Sequence, residues 1–206
     1  MPPADKLLVQ KVLRKNPVII SAKNEAELLK AIENKSKVIF LLFGSICNLQ
    51  QNIHLAKERG KMVFVHADRI EGSTPHKAFV DFIQNISEVD GLISTHPRLL
   101  NYAKERGLIS ILRVFLLDSM AVSNSLKSIA ECQPDLVEVL PGIATQGFKL
   151  IQDEYNGPLI AGGLIKSAED VLAALTAGAI GISSSNQDLT KINRLIQEQV
   201  KSNSPQ

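Results

Sequence analysis

From Val18 onward, short β-branched or apolar runs alternate with amphipathic segments of helical length, and this alternation constrains the fold more than any other feature of the chain. Such a pattern implies parallel strands joined by crossover helices. Eight runs read as strands: Val18 to Ser21, Val38 to Phe43, Met62 to Asp68, Gly91 to Ser94, Ser110 to Leu117, Leu136 to Leu140, Leu159 to Ala161 and Ala179 to Ser183. Most are continuously apolar, as expected of strands buried on both faces. Helix-start chemistry follows them: Ser21 with Asn24, Ser45, Thr95 with Pro97, Asp118 with Ser119, and Ser167 with Glu169 and Asp170. Gly60, Gly107 and Gly178 stand where helices should end. The pentapeptide Ala56-Lys57-Glu58-Arg59-Gly60 recurs as Ala103-Lys104-Glu105-Arg106-Gly107, each time just ahead of a strand, which suggests a repeated βα module.

Two arrangements use this alternation, an open doubly wound sheet and a closed barrel. Eight strands, short loops and a polar residue at nearly every strand end favour the barrel. The expectation is therefore an α/β protein, a single (β/α)8 domain of TIM type spanning residues 1–206. A chain of 206 residues with 45% hydrophobic content can bury one such core. Ahead of the first strand, Leu7, Leu8, Val12 and Leu13 on one side and Lys11, Arg14 and Lys15 on another suggest an amphipathic helix covering the barrel bottom. Residues 201–206 read as a disordered tail.

No charged leader with a following apolar stretch is written at the start, and no apolar run approaches the length that spans a bilayer. The expectation is a cytoplasmic protein without a membrane partner. Cys47 and Cys132 lack the spacing of a zinc or redox motif and read as buried thiols. A net charge of +2 neither requires nor forbids nucleic-acid binding, because clustering on one face decides that. Aromatic residues make up only 4% and tryptophan is absent, so a surface of stacked aromatics for single-stranded RNA is excluded.

The clearest chemical signal is the pair of strand ends near the C-terminus, Ile160-Ala161-Gly162-Gly163-Leu164-Ile165 and Ile182-Ser183-Ser184-Ser185-Asn186. Barrels commonly hold phosphate on the loops after strands seven and eight. Adjacent glycines admit an anion close to backbone N–H groups, and the serines supply hydroxyl donors. Lys166 would add charge. Without a ligand, the same residues would form a tight turn and a helix cap.

A second group comprises His66 and Asp68 near the end of the third strand, Arg113 within the fifth and Glu138 within the sixth. Residues two apart on a strand share a face, so His66 and Asp68 both point into the barrel mouth or both away. Charged groups inside such strands need partners, so Arg113 should pair with Glu138 or Asp68. That network is compatible with contacts to ligand hydroxyls. No strand carries a Schiff-base lysine, neither cysteine has a histidine partner, and although His66, Asp68 and Glu138 are metal ligands by type, no sequence spacing fixes such a site. The expectation is thus no catalytic residue, no metal and no cofactor, with the alternative of a phosphosugar enzyme using His66 and a carboxylate for acid-base chemistry. His54 and His76 read as helix-surface residues, and His96 as a cap or solvated side chain.

Taken in order, HADRIEG (66–72), DGLIST (90–95), RVFLLDS (113–119), PDLVEVLPG (134–142), IAGGLI (160–165) and the segment Gly178 to Ser185 resemble the glycerol-uptake operon antiterminator family. The resemblance covers nearly the whole chain. It implies a (β/α)8 barrel that responds to glycerol 3-phosphate as effector and binds a leader mRNA to prevent premature termination, as a homo-oligomer. By that reading Gly162, Gly163, Ser183, Ser184 and Ser185 hold the phosphate, while His66, Asp68, Arg113 and Glu138 frame the glycerol end. The chain departs from the family pattern at Arg69 and Ser73, where leucine is usual, at Ser184 for threonine, at His96 for lysine, and in lacking a tryptophan near Leu189 and Thr190. The serine keeps a hydroxyl; the changes after the third strand put that loop's contacts in doubt.

Overall fold

The computed structural model describes residues 5–193. Its strands are β1 Val18–Ala22, β2 Val38–Leu41, β3 Met62–His66, β4 Gly91–Ser94, β5 Ile109–Phe115, β6 Leu136–Leu140, β7 Leu159–Gly162 and β8 Ala179–Ser184. All pair in parallel and in chain order, and β8 returns to β1, where Ile20 lies opposite Ser184. The closed barrel, and not the open sheet, is the architecture. Helix α1 Lys6–Lys15 precedes it. The crossovers are α2 Glu25–Glu33, α3 Leu49–Glu58, α4 Lys77–Ile86, α5 Pro97–Glu105, α6 Ser119–Cys132, α7 Gln146–Gln152 and α8 Ala168–Thr176. Short 3-10 turns occupy Ala67–Arg69 and Gln187–Thr190. The expected tail, 201–206, lies outside the described residues. No helix among the described residues is long and apolar enough to cross a membrane.

Two apolar layers hold this arrangement. One lies between sheet and helices; the other fills the barrel, with Ile19, Val38, Phe40, Phe64, Ile93, Ile111, Leu136 and Ile160 among its members. Phe40 and Phe64 meet edge-on at 5.8 Å between ring centres, a favourable geometry for aromatic quadrupoles. Val9 and Leu13 of α1 join this inner cluster and so close the N-terminal end of the barrel. They are four residues apart and stack on one helix face. Leu7 and Leu8, expected on that face, are instead exposed, Leu7 by 64%. The apolar stripe that meets the barrel begins only at Val9, in the second turn.

The repeated pentapeptide is a helix stop used twice. Gly60 and Gly107 adopt φ of +67° and +80°. In each copy the glycine N–H donates three residues back, to Lys57 or Lys104, and the next N–H donates five back, to Ala56 or Ala103. This is the Schellman pattern, and glycine supplies the left-handed conformation it requires.

Helix starts follow sequence expectation where a side chain is free to cap. Asn24, Asp118 and Ser167 accept from the first turns of α2, α6 and α8, and Ser167 with Asp170 forms a capping box. Ser45 and Thr95 do not cap. Asn48 occupies the cap position of α3 and accepts from the Ser45 amide at 2.8 Å, while Thr95 turns to Asp68 and His96 precedes Pro97. Strands β2, β3 and β5 stop two residues earlier than expected. After β3 the chain coils into the 3-10 turn, because the Asp68 carboxylate is held at the end of β4. Cys132 is buried, but Cys47 is exposed in the loop before α3, against the expectation for both thiols.

Candidate functional site

The inward-facing positions change character along the barrel. Below they are aliphatic and aromatic; at the C-terminal end they become Ser21, His66, Arg113, Glu138 and Ser183. Arg113 and Glu138 are register partners on β5 and β6, and Arg113 Nε donates to Glu138 Oε2 at 2.6 Å. Glu138 Oε1 accepts from Ser183 Oγ at 2.5 Å. The carboxylate is thereby held from both sides in a dry environment, where an unpaired charge would be prohibitively costly.

Gly162 lies between these groups. A Cβ there would come within 2.6 Å of Glu138 Oε1 and 2.8 Å of Ser183 Oγ, so β7 must carry glycine for the network to close. Gly163 follows at φ +80° and Leu164 at φ +62°. The leucine is 60% exposed although its backbone is left-handed, a conformation that costs a residue with a Cβ about 1–2 kcal/mol.

Above the network opens a cavity of about 500 Å³. Gly163, Leu164 and Lys166 line it from the loop after β7, and Ser183, Ser184 and Ser185 from the end of β8, with Arg113 and Glu138 among its charged groups. The glycine-paired and serine-rich stretches are neighbours, with Gly162 opposite Ser183 in register. The three serine hydroxyls differ in use. Ser183 donates to Glu138, Ser184 donates to the Ile165 carbonyl at 3.1 Å, and Ser185 accepts from Lys23 Nζ at 3.2 Å.

His66 is 2% exposed, and among the described residues its Nδ1 has no hydrogen-bond partner. Burial, reinforced by the Arg113 charge, pushes its pKa down to about 3, so the ring is neutral. Asp68 does not share its face. On the turn after β3, its carboxylate accepts from Ser94 Oγ at 2.5 Å and from the Thr95 amide and hydroxyl at 2.8 Å each. Burial would raise its pKa, but these hydrogen bonds outweigh it and hold the carboxyl below its ordinary value. Asp68 borders a separate recess with Gly44, Arg69 and Glu71. The structure thus brings Arg113, Glu138, Gly163 and the serines to one cavity, sets Gly162 beneath it, places His66 in the adjacent interior, and leaves Asp68 outside.

Two polar wall residues, Ser21 and Lys23 at the end of β1, escaped the sequence reading, which assigned Ser21 to helix capping. The signal was closure itself: only in a closed barrel do the first and last strands adjoin. His54 pairs with Glu58 on the surface of α3, and His76 caps α4. Among the described residues no three His, Cys, Asp or Glu side chains are grouped to hold a metal ion.

The sequence model of the glycerol-3-phosphate responsive antiterminator family matches residues 18–190. An uncharacterized protein of Escherichia coli, YgcP, is 35% identical over 175 residues, which make up 85% of this chain and 92% of that one. A glycerol uptake operon antiterminator regulatory protein from Listeria monocytogenes is similar in structure, with a TM-score of 0.81 and 31% identity, covering 84% of this chain and 93% of that one. A glycerol uptake operon antiterminator-related protein from Thermotoga maritima superposes with a TM-score of 0.76 at 30% identity, over 85% of this chain and 98% of its own. An aldolase and a phosphosugar epimerase, at 14% and 12% identity, share the barrel fold alone.

Proposed function

The chain belongs to the glycerol-3-phosphate-responsive antiterminator family, and on that premise we propose that its barrel mouth binds glycerol 3-phosphate as an effector controlling association with a leader mRNA. The observation that carries this reading is the shared cavity of the glycine turn after β7 and the serine-rich end of β8. Gly163 and Ser183 to Ser185 offer an anion-accepting wall with Gly162 beneath them, and the Arg113–Glu138 pair, backed by His66 in the interior, frames the polyol end. Asp68 fixes the loop after β3 and is not assigned a contact.

The protein acts by population shift and not by chemistry: ligand that binds one conformation better moves the ensemble toward the RNA-competent state, as a cytoplasmic homo-oligomer. Groups suited to proton transfer support this by their absence from readiness. His66 is held neutral far below physiological pH, and Glu138 is engaged by Arg113 and Ser183 together. The phosphosugar-enzyme alternative would require His66 to exchange a proton near neutrality.

Calorimetry with glycerol 3-phosphate tests the effector role, and a mobility-shift titration of leader RNA with and without it tests the coupling. Saturable heat and a ligand-dependent RNA affinity are expected. No heat and no thermal shift at millimolar ligand would remove the sensing role; turnover of a triose phosphate abolished by His66→Asn would replace it with the enzymatic one.

A further inference from the structure

We propose that Lys23, at the seam where the barrel closes, is a direct ligand of the effector's phosphate. The proposal rests on the effector reading above and adds a residue just past β1, the strand most distant in sequence from the glycine and serine loops.

Position comes first. Lys23 follows the last residue of β1 and therefore emerges at the same end of the barrel as the loops after β7 and β8. Its ammonium crosses the β1–β8 seam to Ser185 Oγ, 3.2 Å away and 162 residues later in the chain. It lines the same cavity as Gly163, Lys166 and the three serines.

Charge comes second. Arg113 and Glu138 neutralise one another, and the other charged side chains on the cavity wall are Lys23 and Lys166, both cationic. A phosphate monoester carries nearly two negative charges at neutral pH. Glu27, the carboxylate four residues on, is engaged by other donors than the ammonium. Its Oε2 accepts from the Lys23 amide at 2.9 Å and its Oε1 from the Asn24 side chain at 3.3 Å, fixing the start of α2. Among the described residues no carboxylate forms an ion pair with the Lys23 ammonium, whose hydrogen-bond partner is a neutral hydroxyl. An ammonium has three donors and gains far more from an anionic oxygen than from a hydroxyl.

The geometry therefore describes an exchange. Without anion, the ammonium rests on Ser185; with phosphate, both the ammonium and the Ser185 hydroxyl donate to its oxygens. Because the Lys23 amide is tied to the first turn of α2, the ligand then links the β1–α2 connection to the loops after β7 and β8.

The test is calorimetry on the full chain with glycerol 3-phosphate and, separately, inorganic phosphate, comparing wild type, Lys23→Met and Lys23→Arg. Lys23 is exposed, so both variants should keep the wild-type melting temperature without ligand. The methionine variant should bind glycerol 3-phosphate about 10- to 100-fold more weakly, the range of a lost charge-assisted hydrogen bond, and with a shallower salt dependence. The arginine variant should retain affinity within several-fold. Methionine-variant binding within threefold of wild type, or weakened with an unchanged salt slope, overturns the assignment while leaving the effector reading intact. Wild type that binds inorganic phosphate but not glycerol 3-phosphate overturns the effector reading, and the methionine variant's phosphate affinity then decides Lys23 alone. Wild type that binds neither overturns both.

Discussion

Arg113 and Glu138 stand opposite each other on adjacent strands and meet at 2.6 Å inside the barrel, with side chains only 9% and 1% exposed. Ion pairs this dry are poor sources of net stability, because desolvation opposes the Coulomb gain. Their value lies in what they hold: this pair orients Ser183 at the base of the mouth and compels glycine at position 162.

Removing one partner should be far worse than removing both. Glu138→Ala leaves a buried guanidinium without its carboxylate and should cost about 3–5 kcal/mol, read as a lower urea midpoint. The double change Arg113→Met with Glu138→Leu should cost clearly less than Glu138→Ala alone. An additive result would show that the two side chains act independently.

Gly162→Ala should harm the site more than its size suggests. The new methyl collides with Glu138 and Ser183, two groups already bonded to each other, so both must move. We expect a loss of about 1–3 kcal/mol in stability and at least tenfold weaker effector binding in calorimetry. Gly60→Ala is the contrast: nothing lies within 4 Å of its added Cβ, yet φ is +67°. It should lose about 1–2 kcal/mol from backbone strain alone and leave binding unchanged.

The contrast between these glycines also marks how far the sequence could be read. Strand alternation, helix stops and caps are local, and so were legible: Gly60 and Gly107 end their helices as their pentapeptides indicate. The pairing of Arg113 was legible too, because a charge in an apolar run demands a partner, although Glu138 and Asp68 both qualified. The choice between them depended on where β3 stops, which is decided by Ser94 and Thr95 reaching Asp68 from the next strand. Lys23 was invisible for a similar reason, since its neighbour Ser185 is adjacent only after closure. Leu7 and Leu8 show the limit of periodicity on a short helix whose buried stripe begins at its second turn.

The two thiols should react very differently. Cys47 is exposed, whereas burial hides Cys132 and pushes its pKa up to about 11. A thiol reagent such as Ellman's should therefore titrate one thiol rapidly in the native protein and a second only in denaturant. Cys47→Ser should abolish the fast phase. Rapid reaction of two thiols in native protein would contradict the burial of Cys132 at the end of α6.

The sharpest pH effect should come from His66. In the unfolded chain the imidazole protonates near 6.5, but in the folded barrel burial, aided by Arg113, depresses its pKa to about 3. Between those values the unfolded state binds a proton that the folded state refuses, so acid favours unfolding and stability falls as pH falls. A fully refused proton corresponds to a slope of about 1.4 kcal/mol per pH unit across that window. Asp68, whose folded pKa is also lowered, adds loss of the same sign only at lower pH, as the carboxylate becomes protonated. Urea unfolding of wild type and His66→Gln at pH 7, 6, 5 and 4 separates the two. Glutamine cannot titrate, so its stability should decline less steeply from pH 6 to pH 4, whatever its absolute value at pH 7. Parallel curves for the two proteins would mean that His66 takes up its proton in the folded state, and hence that the ring is not confined to a dry interior beside Arg113.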